Sequence, residues 1–176
     1  MELMEVISKR QSVRTYKSEA VNGDLIQKVM LAGSMAPVGM GQYENVHMTL
    51  VENQEILKKI DAATAQKMGK PEAHPIYGVP AMIIVSTRPG KFVIPGIDKA
   101  NCGCIMENMM LTATDNGLGS VYLLAATEAL AASEEIMAAL NLPEGFTPTA
   151  SLGLGYPSTE LNARELEQKM EVNVVK

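Results

Sequence analysis

The sequence predicts a helix–sheet fold in which strands of mixed direction carry helices on both sides, rather than a doubly wound sheet. Three observations lead there. Helical and strand-like segments alternate along the chain, their order is not a regular strand–helix–strand repeat, and one run, residues 79–87 (VPAMIIVST), is apolar without interruption. Such a run is typical of a central strand buried on both faces. The chain has 176 residues, about one domain at this length, with 47% apolar and 20% charged side chains. That is ordinary globular usage and argues against disorder.

Each element has its own signal. Leu3, Met4 and Ile7 recur at helical spacing, so the first nine residues predict a short helix. The next stretch, RQSVRTYKSEAV, mixes charge with β-branched residues and reads as an extended arm or strand. Asn22 can cap a helix over 23–35 with Leu25, Val29 and Ala32 as its stripe, ending before Pro37. The glycine-rich PVGMGQ follows. In NVHMTLVE, Val46, Met48 and Leu50 alternate with polar neighbours like a half-buried strand. Residues 53–67 form an amphipathic helix with Ile56, Leu57 and Ile60 inward. A loop (MGKPEAHPIYG) then leads to the central strand. The longest helix covers 97–116, with Gly117 suited to a left-handed C-cap. SVYLLA is short and strand-like, and Ser133 caps a helix with two glutamates in its first turn. FTPTASLGLGY is the last strand, and RELEQKMEVNVVK a polar, charged tail whose Val172, Val174 and Val175 suggest pairing with another subunit.

Composition removes several functions. With 15 basic and 20 acidic side chains the formal charge is −5, so no whole-surface attraction draws nucleic acid or anionic lipid. No apolar run approaches the ~18 residues of a membrane helix, and the first residues lack a signal peptide's layout. Cys102 and Cys104 are too few for a disulfide framework and have no histidine nearby for a metal site. They read as small buried or half-buried side chains in a reducing compartment, the cytoplasm. The 13 methionines read mainly as core, with a minority role beside a flat cofactor.

Within the arm, Arg10, Ser12 and Arg14 point to one side if the chain is extended, the arginines ~13 Å apart at Cα. Two guanidinium forks around a hydroxyl make a receptor for a phosphate monoester. The same pattern suits an ordinary solvated arm, and spacing alone leaves both open. Gly39 and Gly41 allow either close approach to a flat ligand or a plain turn, with Gln42 adding an amide. No phosphate loop or dinucleotide fingerprint follows them, because the pattern leads into a strand. Hydrolytic motifs are absent, and His47 and His74 read as surface residues. Glu107 and Asn108, mid-helix, must reach solvent or be satisfied internally. With ordinary acid–base and metal chemistry missing, a cofactor becomes the natural carrier of any reaction.

Four segments in order resemble the nitroreductase family of FMN-dependent oxidoreductases, over residues 4–165: ISKRQSVRTYKSEAV, AGSMAPVGMGQ, ENMMLTATDNGLGSVYL and LNLPEGFTPTASLGLGYP. The resemblance implies an α+β fold, with a mixed, mainly antiparallel sheet flanked by helices. It also implies an intertwined homodimer with FMN at the subunit interface. The core domain would span residues 1–165, and the tail, 166–176, would contact the partner subunit. Arg10, Ser12 and Arg14 match the arm that holds the FMN phosphate, with Gln11 as a flavin-ring contact. Pro37, Val38, Gly39 and Gln42 match the segment that reaches FMN from the second subunit. Leu124, Ala125 and Ala126 would offer backbone amides near the flavin's redox edge, and Arg164 would complete the phosphate site. No side chain is implied as catalytic. NADH or NADPH would donate electrons through FMN, in ping-pong order, to a nitro compound or quinone. A flavin-binding or sensing protein with little turnover is the alternative. Where many members have Asn-x-Gln-Pro-Trp, this chain has Gly41, Gln42, Tyr43 and Glu44, and it lacks the inserted lid helices of larger members.

Overall fold

The computed structural model describes residues 1–176 as a four-stranded antiparallel sheet between two helical layers. In chain order the elements are α1 (Leu3–Lys9), α2 (Gly23–Ser34), β1 (Val46–Val51), α3 (Gln54–Lys67), β2 (Ala81–Thr87), α4 (Ile97–Asp115), β3 (Gly119–Tyr122), α5 (Leu124–Ala131), α6 (Glu134–Leu140) and β4 (Thr147–Gly155). The strand order is β1-β2-β4-β3, and every neighbour is antiparallel. The expected mixed direction survives only at the arm, where Ser12 bridges Ser120 of β3 in parallel.

β2 explains the layering. All seven of its residues are buried, and successive side chains leave opposite faces of the sheet. Ala81, Ile83 and Val85 enter one core with residues of α2 and α4, among them Val29, Ile105, Met106 and Met109. Met82 and Ile84 enter the other, with Leu57 and Ile60 of α3, Leu130 of α5 and Ile136 of α6. The methionines of α4 are core, as expected. Cys102 is buried and Cys104 exposed.

Caps agree with the sequence. Asn22 accepts from the Asp24 N–H, Asn53 from those of Glu55 and Ile56, and Ser133 from that of Ile136. One boundary moves. The strand expected over SVYLLA ends at Tyr122, and Leu124 already begins α5, which the sequence reading leaves unassigned. Short 3-10 turns at Gly39–Gly41 and Tyr43–Asn45 precede β1, and after the bridge between Tyr16 and Pro157 residues 158–176 form no further helix or strand. No helix is long and apolar enough to cross a membrane.

Candidate functional site

The arm leaves α1 at Arg10, whose N–H still bonds the Val6 carbonyl at 2.8 Å, and runs extended beside β3. The Val13 N–H donates to the Ser120 carbonyl at 3.0 Å, and Val13 is buried against Gly119. Because Val13 points inward, Ser12 and Arg14 point out, exposed, as the period of two requires. Arg10 is partly shielded, its Nε 3.9 Å from Oε1 of Glu107 on α4. The Glu107–Asn108 pair is thus resolved as chemistry demands: Glu107 reaches Arg10 at the surface, and Asn108 Nδ2 donates to the Ala32 carbonyl at 3.1 Å. Arg14 Nη1 makes one long contact, 3.5 Å to the Ser12 carbonyl. The Tyr16 hydroxyl donates to the Val13 carbonyl at 2.8 Å, and burial pushes that phenol above its ordinary value, so it stays a donor.

Arg164 lies beside the arm but is differently engaged than the resemblance implies. Its backbone N–H and Nε donate to the Ser8 carbonyl at 3.0 and 3.2 Å. Nη2 donates to the carbonyls of Ile7 (3.3 Å) and Arg10 (2.6 Å). This guanidinium clasps the open end of α1, a place where backbone acceptors lack helical partners.

The segment 37–42 is built by close packing. Val38 is buried in the first core, and the Gly39 N–H donates to Asn101 Oδ1 at 2.9 Å. A Cβ on Gly39 would collide with Ile97. Met40 and Gly41 then take left-handed backbone (φ +58° and +66°), which turns the chain sharply and presents Gln42. The Tyr43 hydroxyl closes the loop on the Ala36 carbonyl at 3.2 Å. Both segments lie along α4, one at Asn101 and the other at Glu107, about 9 Å apart by helical rise. No hydrogen bond joins them within the chain.

The turn from β3 into α5 is fixed from below. The Leu123 carbonyl accepts from Thr127 Oγ1 (2.9 Å) and Ser151 Oγ (3.0 Å), whose hydroxyls are 2.7 Å apart and buried. The Leu123 N–H returns to the Ser151 carbonyl at 2.9 Å. α5 has no side-chain N-cap, so its first amides, at exposed Leu124 and Ala125 and at buried Ala126, lack both helical acceptors and a capping side chain. Tyr122, just before, has its phenol pushed up by burial, with Cys102 as a neighbour. His74, exposed, pairs with Asp61 at 2.8 Å, and half-buried His47 packs against the Phe146 ring, so neither meets the arm.

The structure therefore places Arg164 on the start of the arm and the arm beside β3, which leads into the β3–α5 turn, and sets Gly39 of the 37–42 segment against the first turns of α4. Sequence reasoning misses Asn101, the Thr127–Ser151 pair and the Glu107 contact to Arg10, because only contact across the fold gives them roles.

The family model described as the nitroreductase family matches residues 7–156. The chain belongs to this family. One nitroreductase relative, from Methanothermobacter thermautotrophicus, carries the name "Putative NADH dehydrogenase/NAD(P)H nitroreductase" and is 30% identical over 94% of this chain and 83% of its own length. Two solved nitroreductases with bound FMN share the fold over the whole chain. The one from Bacteroides fragilis has a TM-score of 0.83 at 27% identity, covering 100% of both chains. The one from Desulfitobacterium hafniense has 0.85 at 25%, covering 100% of this chain and 99% of its own.

Proposed function

We propose that this chain is an FMN-dependent NAD(P)H oxidoreductase that works as a homodimer and reduces a nitro compound, quinone or similar acceptor in ping-pong order. The observation that carries the reading is the arm. It presents Arg10, Ser12 and Arg14 from one extended arm, with the Ser12 hydroxyl unpartnered and the two guanidinium groups making only long polar contacts, to Glu107 and to the Ser12 carbonyl, in a chain whose length matches FMN-bound relatives throughout. Two permanent cations and a hydroxyl suit a phosphate monoester. Bound FMN would supply the two-electron chemistry that no side chain here carries.

The chain's own residues then have distinct tasks. Arg10 and Arg14 hold the phosphate, and Arg164 positions Arg10 by clasping its carbonyl. Gln11 and Gln42, whose amides have no partner in the protomer, face the ring, Gln42 standing where the family's asparagine amide is missing. The free N–H groups of Leu124, Ala125 and Ala126 stabilise negative charge at the ring edge.

A second copy accounts for surface that one copy leaves bare. Leu31, Met35, Met40 and Tyr43 are exposed together along the chain from α2 to the 37–42 segment. α4 exposes a run of small side chains, Ala100, Gly103 and Cys104, on which another chain could pack closely. Met170, Val172 and Val174 alternate in the exposed tail, as a strand pairing with the partner would require. The replacement of the family's Asn-x-Gln-Pro-Trp by Gly41, Gln42, Tyr43 and Glu44 favours, as second reading, a flavin-binding protein with little turnover.

Purified protein is expected to be yellow and to bleach with NADH or NADPH, and menadione or a nitrofuran then restores the colour. Protein that stays colourless with added FMN refutes the first reading, and flavin that stays oxidised under excess NADH and NADPH supports the second. Arg14→Ala is expected to weaken FMN binding by roughly 1.5–3 kcal/mol through loss of a charged hydrogen bond.

A further inference from the structure

Tyr77 holds an uncommon backbone. Its φ is +59°, and Gly78 follows at +63°. A bulky residue rarely adopts this left-handed conformation, and where one does the surroundings must hold it there. Two other non-glycine residues share a positive φ: Asn141, the C-cap of α6, and Met40, in the turn already described. Asparagine is at home in such a cap, whereas nothing in the turn at Tyr77 calls for an aromatic residue.

What the ring touches supplies the reason. Half-buried, it packs against the second core on one side. On the other, the Arg14 guanidinium carbon lies 5.8 Å from the ring centroid, within cation–π range. Tyr16 borders both and ties the arm through the Val13 carbonyl. Arg14 has no carboxylate partner, and its one hydrogen bond is the long contact to the Ser12 carbonyl. The Tyr77 ring is therefore the main constraint on where this exposed guanidinium points. A cation–π contact uses no guanidinium N–H hydrogen bond, so the N–H groups turned away from the ring remain donors that can grip an anion in bidentate fashion.

We infer that Tyr77 is a positioning residue that orients Arg14 for a phosphate monoester and so sets the preference for FMN over riboflavin. The inference rests on the proposed flavin reading. Riboflavin shares the ring system and ribityl chain and lacks only the phosphate, so the ratio of the two affinities isolates the phosphate contribution.

The test titrates flavin-free, full-length protein with FMN and with riboflavin, followed by flavin fluorescence, for wild type, Tyr77→Phe, Tyr77→Leu, Tyr77→Asn and Arg14→Ala. Tyr77→Leu keeps apolar bulk and loses the π face. It is expected to lower the preference for FMN about two- to fivefold, the size of a partly exposed cation–π contact, while Tyr77→Phe keeps it. Tyr77→Asn tolerates positive φ and gives the same loss even if leucine disturbs the loop. An unchanged preference in the leucine and asparagine variants, an equal loss in the phenylalanine variant, or equal weakening of both flavins overturns the inference. Arg14→Ala separates the two readings. If it lowers the preference about tenfold or more while the Tyr77 variants do not, Tyr77 loses its role and the phosphate arm stands. If Arg14→Ala leaves the preference unchanged, the flavin-phosphate reading itself falls.

Discussion

At the scale of single residues, Gly119 decides whether the arm can reach β3. A Cβ there would approach the Val13 side chain to 2.8 Å, so only glycine lets the two backbones come close enough for the Ser12–Ser120 bridge. Cys102 shows burial acting on chemistry. It lies in the first core, and desolvation, with Asp98 adding to it, pushes its thiol up to about 12 from an ordinary value of 9.0. The folded value exceeds the unfolded one, so the contribution to stability is full below pH 9.0 and declines as pH rises from there toward 12. In the folded protein Cys102 is expected to escape iodoacetamide at about pH 8.5, where an ordinary thiol reacts. Peptide mass mapping checks this, with the same residue labelled once the protein is unfolded. The outward set Arg10, Ser12 and Arg14 is legible in the sequence because strand geometry alone dictates it. The role of Arg164 is not, since its carbonyl partners, residues 7, 8 and 10, lie more than 150 positions away.

Among the elements, those with a clear period or cap are readable in advance: α2, α3, α4, α6 and the central strand β2 all lie within a residue or two of expectation. α5 is not. The segment LLAATEALA is apolar nearly throughout, so no stripe marks a helix, and it begins without a capping side chain. What turns the chain there is the Leu123 carbonyl held by two hydroxyls, one of them donated from β4. Ser151→Ala and Thr127→Val are each expected to cost about 1–2 kcal/mol in urea unfolding. Because only two hydroxyl protons are shared among these three contacts, the double variant is expected to lose less than the sum. The proposed ring-edge donors ride on this turn, so in holoenzyme the same changes would shift the flavin potential as well.

For the whole molecule, a single copy leaves Leu31, Met35, Met40 and Tyr43 and the apolar residues of the tail uncovered. The resemblance places segment 37–42 against FMN held by the other subunit's arm, and within one protomer no hydrogen bond links the two. Sequence pattern marks the tail as polar and charged with apolar Val172, Val174 and Val175 left over, but a docking place for them is a property of an assembly, which local pattern does not encode. Deleting residues 166–176 is expected to shift the protein from dimer toward monomer in sedimentation and to weaken flavin retention, while the sheet and its two cores, which use no tail residue, persist. An unchanged sedimentation coefficient per mass would count against the tail's role.

The clasp made by Arg164 also bears on the order of events during synthesis. Carbonyls of the first helix and of Arg10 await a guanidinium that is synthesised more than 150 residues after them. Until then the emerging chain can assemble its sheet, but the segment that would grip the cofactor remains unsecured. Cofactor loading would wait for Arg164 to emerge and close on those carbonyls.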